Sequence, residues 1–108
     1  MTVAELIDRL ALAVFALPEP DRAVTGGYAG DLLSWVMGRA QAGEAWLTIM
    51  SNINVAAVAQ LTDVSCVILT EGVQPDEGVS AIAEARGVNL LGSPDATFPL
   101  ACRLQTLL

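Results

Sequence analysis

The chain has 108 residues, enough for one domain with a real core and too few for two. Hydrophobic residues make up 54% and charged ones 16%, which excludes disorder and points either to an Ala- and Val-rich core or to a sticky subunit interface. The net charge of −7, from five Arg, no Lys and twelve acidic residues, argues against a nucleic-acid surface and against binding an anionic membrane.

Thr2-Val3-Ala4-Glu5 has the spacing of a capping box, and Val3, Leu6, Ile7 and Leu10 follow at helical intervals. This first helix is expected to end near Ala11 or Leu12. Ala13 to Leu17 reads as a short buried strand, stopped by Pro18-Glu19-Pro20. Arg22 to Thr25 is extended and runs into Gly26-Gly27, which serves either close backbone approach to a ligand or a tight strand-to-helix turn with positive φ. Leu32, Leu33, Val36 and Met37 mark an amphipathic helix that stops near Gly43.

Ala45 to Met50 reads as the next strand. Ser51-Asn52 then caps a helix over Ile53 to Leu61 that is apolar nearly all round and is expected to be buried. Cys66 to Leu69 is a continuous apolar run, as in a strand covered on both faces. Pro75 opens a helix with Asp76 and Glu77 in its first turn and Val79, Ile82 and Ala83 on its inner face, ended by Gly87. Val88 to Leu91 is a short strand, and a last helix begins at Thr97. Such alternation predicts an α/β fold: a single three-layer-like domain over residues 1–108, with a mostly parallel sheet of about five strands flanked by helices.

No apolar run reaches the ~20 residues of a membrane helix. The start of the chain also lacks the basic and apolar blocks of a signal peptide, so a cytoplasmic location is expected. With no His, Ser-His-Asp and Cys-His catalysis and the usual zinc site are excluded. With no Lys, so are a Schiff base and a phosphate-loop lysine. Cys66 and Cys102 sit in apolar contexts and read as reduced thiols. No metal, cofactor or catalytic residue is assigned, and the chain is expected not to be an enzyme.

In a parallel sheet, ligands gather beyond the carboxyl ends of the strands. Thr25-Gly26-Gly27, Ser51-Asn52, Thr70-Glu71-Gly72 and Ser93 to Thr97 are expected there, where small hydroxyls and free amides suit a neutral or anionic small molecule. Asp31 either caps the following helix or acts as a base or ligand contact. Asn52 reads as a cap, Asn54 as a candidate ligand contact, and Glu71 as an exposed turn carboxylate or an acid/base group. Leu33, Trp35 and Met37 form a wide apolar helix face, fit for a homodimer interface or for packing on the first helix.

Two runs, Val24-Thr25-Gly26-Gly27-Tyr28-Ala29-Gly30-Asp31-Leu32-Leu33-Ser34 and Thr48 to Ala59, together with Val67 to Gly72, Pro75 and Thr97-Phe98, resemble the DRTGG-domain family over essentially the whole chain. The name-giving string is interrupted, because Ala23-Val24 separates Asp21-Arg22 from Thr25-Gly26-Gly27. The family is similar to the N-terminal domain of HPr kinase/phosphorylase and includes domains attached to CBS pairs in regulated pyrophosphatases and to phosphotransacetylases. The resemblance implies a non-catalytic regulatory, ligand-sensing and dimerisation module. Its ligand would be a small anionic or nucleotide-like metabolite, held in a cleft of Thr25, Gly26, Gly27, Asp31, Asn54 and Thr70. With Asn52 from the cap, these are the expected ligand-binding residues. Two alternatives are an accessory protein of a hydrogenase-type redox system, docking a redox-complex partner, and an enzyme acting on a phosphorylated substrate through Asp31 and Glu71.

Overall fold

The Thr2 hydroxyl accepts the Glu5 amide at 3.1 Å, and the Glu5 carboxylate accepts the Thr2 amide at 3.1 Å. Both halves of the capping box therefore form. In the computed structural model, which describes residues 1–108, they open helix α1, Val3–Leu10. It stops where Ala11 turns left-handed, at φ +53°. Val3, Leu6 and Leu10 give it one buried face.

Strands β1 (Ala13–Ala16), β2 (Gly26–Ala29), β3 (Glu44–Thr48), β4 (Cys66–Leu69) and β5 (Leu90–Gly92) make one sheet in the order β1-β5-β4-β3-β2. The strands from β2 to β5 are parallel, and β1 joins β5 antiparallel. Helices α2 (Leu33–Arg39), α3 (Asn54–Thr62), α4 (Val79–Ala85) and α5 (Thr97–Leu107) complete the chain. Since β2, β3, β4 and β5 step across the sheet in one direction, right-handed crossovers put α2, α3 and α4 on one face. The other face is left to α1 and α5.

Strand alternation divides the core between the two faces. Trp46, Val67 and Leu69 pack with Val36, Val55, Val58, Val79 and Ala83. Ala45, Leu47, Cys66 and Ile68 pack with Val3, Leu6, Leu100 and Leu104. The Asn89 amide, 1% exposed, fixes the Pro18–Pro20 turn by accepting from the Glu19 amide at 2.9 Å and donating to the Glu19 and Ser65 carbonyls at 2.7 and 2.9 Å. No helix is long and apolar enough to cross a membrane.

Four elements depart from the sequence expectation. Strand β1, expected to be buried, is an edge strand with Ala13 exposed and Val14 48% exposed, and only Ala16 is inside. Gly26-Gly27 is part of β2, paired with Glu44 and Ala45, and neither glycine has positive φ. What requires a glycine at Gly27 is packing, because a Cβ there would lie 3.0 Å from Cδ2 of Leu104 on α5. Helix α4 begins at Val79 rather than Pro75, since Gly78 turns left-handed at φ +85° and the Asp76 amide is bound to the Ser51 carbonyl at 3.0 Å. Helix α3 is not buried all round: Val55, Ala56, Val58 and Ala59 are inside, but Leu61 is 67% exposed.

Candidate functional site

At the carboxyl ends of β2 to β5 stand Asp31, the segment Thr48 to Asn52, Thr70-Glu71-Gly72 and Ser93 to Thr97. Thr25, Gly26 and Gly27 do not belong to this group. Thr25 lies just before β2 and Gly26 and Gly27 are its first two residues, roughly 7 to 13 Å from its carboxyl end. Reading the two glycines as a turn had placed them at the wrong end of the strand.

Asp31 does not cap α2, which has no side-chain cap. Its Oδ1 accepts the Thr48 hydroxyl at 2.8 Å and the Ile49 amide at 2.9 Å, so it ties the end of β2 to the exit of β3. Thr70, fully buried, shares a hydrogen bond of 2.6 Å with the Thr97 hydroxyl. Glu71, left-handed at φ +60°, accepts the Thr97 amide at the start of α5 at 3.3 Å. Asp31 and Glu71 follow β2 and β4, with β3 between, so about 10 Å of sheet separates them and each is engaged locally. They do not form an acid/base pair.

Asn52 does act as a cap, accepting the Asn54 amide at 2.9 Å. The Asn54 side chain is different. It is exposed, makes no hydrogen bond within the chain, and stands at the mouth of an open groove between α2 and α3. Leu33, Met37, Ala57, Val58 and Leu61 line the rest of that groove, whose volume is about 300 Å³. By contrast, the hollow at the ends of β4 and β5, around Gly72 to Gln74 and Gly92 to Pro94, holds only about 130 Å³. Small-molecule sites start near 300 Å³, so only the groove reaches that size.

The electrostatics separate the two places as well. The strand-end rim carries Asp31, Glu71, Asp76 and Asp95, and its nearest cation, Arg103, is already paired with Asp95. The Ser51 hydroxyl, expected to be free for a ligand, donates to Asp76 at 2.8 Å. Neither α2 nor α3 contains an acidic residue. Sequence reasoning found Asn54, Leu33 and Met37 but missed Ala57, Val58 and Leu61. The signal was present: positions 54, 57, 58 and 61 have the i, i+3, i+4, i+7 spacing of one helical face.

The chain thus combines a mostly parallel five-stranded sheet with an open apolar groove between α2 and α3. No protein-family model and no curated protein matches the chain. Among solved structures, it is similar to the regulatory region of Clostridium perfringens pyrophosphatase, comprising CBS and DRTGG domains in complex with the activator diadenosine tetraphosphate. Identity is 13% and the TM-score 0.69, over 95% of this chain and 45% of that one. The chain thus has a DRTGG-like α/β fold and spans less than half the length of that regulatory region.

Proposed function

We propose that residues 1–108 form a single DRTGG-like regulatory domain, non-catalytic, that senses a small ligand and works as a homodimer. The ligand reading rests on one observation: the α2–α3 groove, apolar along its length, ends at an Asn54 amide with no partner of its own. An amide beside an apolar slot recognises a flat, uncharged group with hydrogen-bonding edges, such as a nucleobase. A nucleotide-like metabolite fits if its base enters the groove and its phosphates stay in solvent. The amides at the start of α3 are already used, since those of Asn54, Val55 and Ala56 bond to Asn52 and Ile53. The pyrophosphatase regulatory region binds a diadenosine nucleotide, which supports testing that class first.

Thermal unfolding with adenosine, diadenosine tetraphosphate and inorganic phosphate tests this. A ligand at about 100 times its Kd adds about 2.7 kcal/mol, a Tm rise on the order of 10 °C for a domain this size. The expected result is a rise with both adenine compounds, lost in Asn54→Ala. A rise with phosphate alone would overturn the base-in-groove reading, and no rise with any of the three would remove nucleotide sensing.

A second reading, an accessory protein that docks a redox partner, draws support from the openness of the same groove and from Met37, 49% exposed on its wall. It calls for a flat ligand panel together with a stoichiometric partner that Met37→Glu releases.

A further inference from the structure

The outer surface of α2 and α3 is composed like the inside of a larger assembly. A surface helix normally turns charge to solvent, yet α3 contains no charged residue and α2 only Arg39. On α3, Ala57 and Leu61 lie two residues, about 200°, around the helix from the buried Ala59 and so face out. On α2, Ser34 and Gly38 stand in the same relation to the buried Val36. Gly38 is the odd residue among them. Its φ is not positive, a Cβ there would meet nothing within 4 Å, and a mid-helix glycine is less stable than alanine. Nothing inside the chain requires it. A helix closing on α2 from outside would, because interaxial distances of about 8 Å rather than 10 Å need small side chains at the contact.

We infer that this layer is the homodimer face: α2 of each copy lies in the α2–α3 groove of the other, so that the dimer and a groove-bound ligand exclude one another. The inference rests on the ligand and homodimer readings above and supplies the link between them. A two-fold axis along α2, in the plane of the face, makes the fit mutual, since α2 is then a ridge for one copy and a groove wall for the other. Ser34 and Gly38 form the ridge. Leu33, Met37 and Leu61 form the walls that receive it. Trp35 is two residues from both Leu33 and Met37, so it points away from its own groove and over α3 of the second copy. It is 55% exposed, with the Arg39 guanidinium stacked 3.7 Å from its ring centre, and a stacked, uncovered Trp is a typical interface anchor. Such an axis keeps the two copies level. The Ser34 hydroxyl of one, near the start of α2, therefore meets the Asn54 amide of the other, at the start of α3, and gives it the partner it lacks.

Charge admits a second copy here. On a chain with net charge −7, the groove is lined by no acidic residue and neither helix contains one. The carboxylates that flank the two helices in sequence, those of Asp31, Glu44 and Asp63, are bonded within the chain to Thr48, Gln41 and Arg22. With Arg39 as its one charge, the face holds nothing to select a strongly acidic or basic partner. What it accepts is another near-neutral helix with a flat ridge, and α2 of a second copy is such a helix. The two helices are only about 11 and 14 Å long, so the face is small beside the about 800 Å² per partner of a standard interface. The dimer is accordingly weak enough for a ligand to displace.

Sedimentation velocity from about 1 μM to about 1 mM, with and without adenosine, tests it beside thermal unfolding of dilute protein. Saturating adenosine should raise the wild-type dimer Kd about tenfold or more. Gly38→Leu fills open space on the monomer and lies outside the groove lining. It should keep the Tm of the dilute protein and its rise with adenosine, yet weaken the dimer about tenfold or more. Phe98→Glu, on α5 at the opposite face of the sheet, should leave the dimer as it is. Adenosine that binds without loosening the dimer, or a Gly38→Leu dimer as tight as wild type, overturns the shared groove and leaves both earlier readings standing. A wild type monomeric up to about 1 mM overturns this inference and the homodimer together, while a Tm rise with adenosine keeps the ligand reading. Without any Tm rise the ligand reading and the competition fall, and Gly38→Leu against Phe98→Glu decides the face alone.

Discussion

Asp31 holds the exit of β3 by accepting both the Thr48 hydroxyl and the Ile49 amide on one oxygen. Thr48 is 1% exposed, so its hydroxyl has no water to turn to when the acceptor is removed. Asp31→Ala should therefore cost about 1–3 kcal/mol in urea unfolding, and Asp31→Asn, which keeps an acceptor, clearly less. Equal losses in the two variants would show that charge, not acceptance, matters there. A second residue sets a pH limit. Burial pushes the Cys66 thiol up to about 12 from 9.0, against a small opposing pull from Arg22. The folded state thus keeps a proton that the unfolded chain gives up above pH 9. That contribution is fully present below pH 9 and is lost towards pH 12, at about 1.4 kcal/mol per pH unit. In paired urea titrations, Cys66→Ala should lose less stability over this range than wild type. In native protein at pH 8, a thiol reagent should label exposed Cys102 only, with Cys66 following on unfolding.

Among the elements, α1 shows local sequence and structure in agreement. Its Thr2 cap satisfies the Glu5 amide, and hydrogen bonds from the Thr2 backbone and hydroxyl hold the Glu5 carboxyl below its usual range. Thr2→Ala should cost about 1 kcal/mol at pH 7. Because the folded-state pKa of Glu5 is depressed, its contribution is present above pH 4.5 and is lost as pH falls through the lower folded value. The gap between wild type and Thr2→Ala in acid unfolding should accordingly narrow as the pH drops. Helix starts written in capping residues, and apolar runs such as Cys66–Leu69, were legible because neighbours in sequence decide them. Strand β2 was not. Gly26, Gly27 and Ala29 have little strand preference, and what makes them a strand is the ladder to Glu44, Ala45 and Leu47. The misplacement of the Thr25 to Gly27 candidates follows from that one long-range fact. Asn52 and Asn54 fall at the helix start that follows β3, and a helix start after a parallel strand lies near that strand's carboxyl end.

For the whole molecule, the distribution of charge matters more than its sum. A net −7 on 108 residues, with a pI near 4.1, makes any two copies repel at neutral pH. The acidic side chains lie on loops, on α1 and α4 and at the strand ends, leaving α2, α3 and α5 without any. A dimer that closes over the apolar faces of these helices gains from burial that salt does not weaken. Its main electrostatic cost is repulsion between the remote carboxylates. Salt shortens the reach of that repulsion, from about 30 Å at 0.01 M to about 3 Å at 1 M. Self-association should therefore tighten as salt rises, with Kd falling several-fold between low and high NaCl in sedimentation equilibrium. An interface built instead on ion pairs, for instance Arg39 or Arg103 reaching a carboxylate of the second copy, would loosen over the same range. The sign of the salt dependence thus separates an apolar interface from a salt-bridged one.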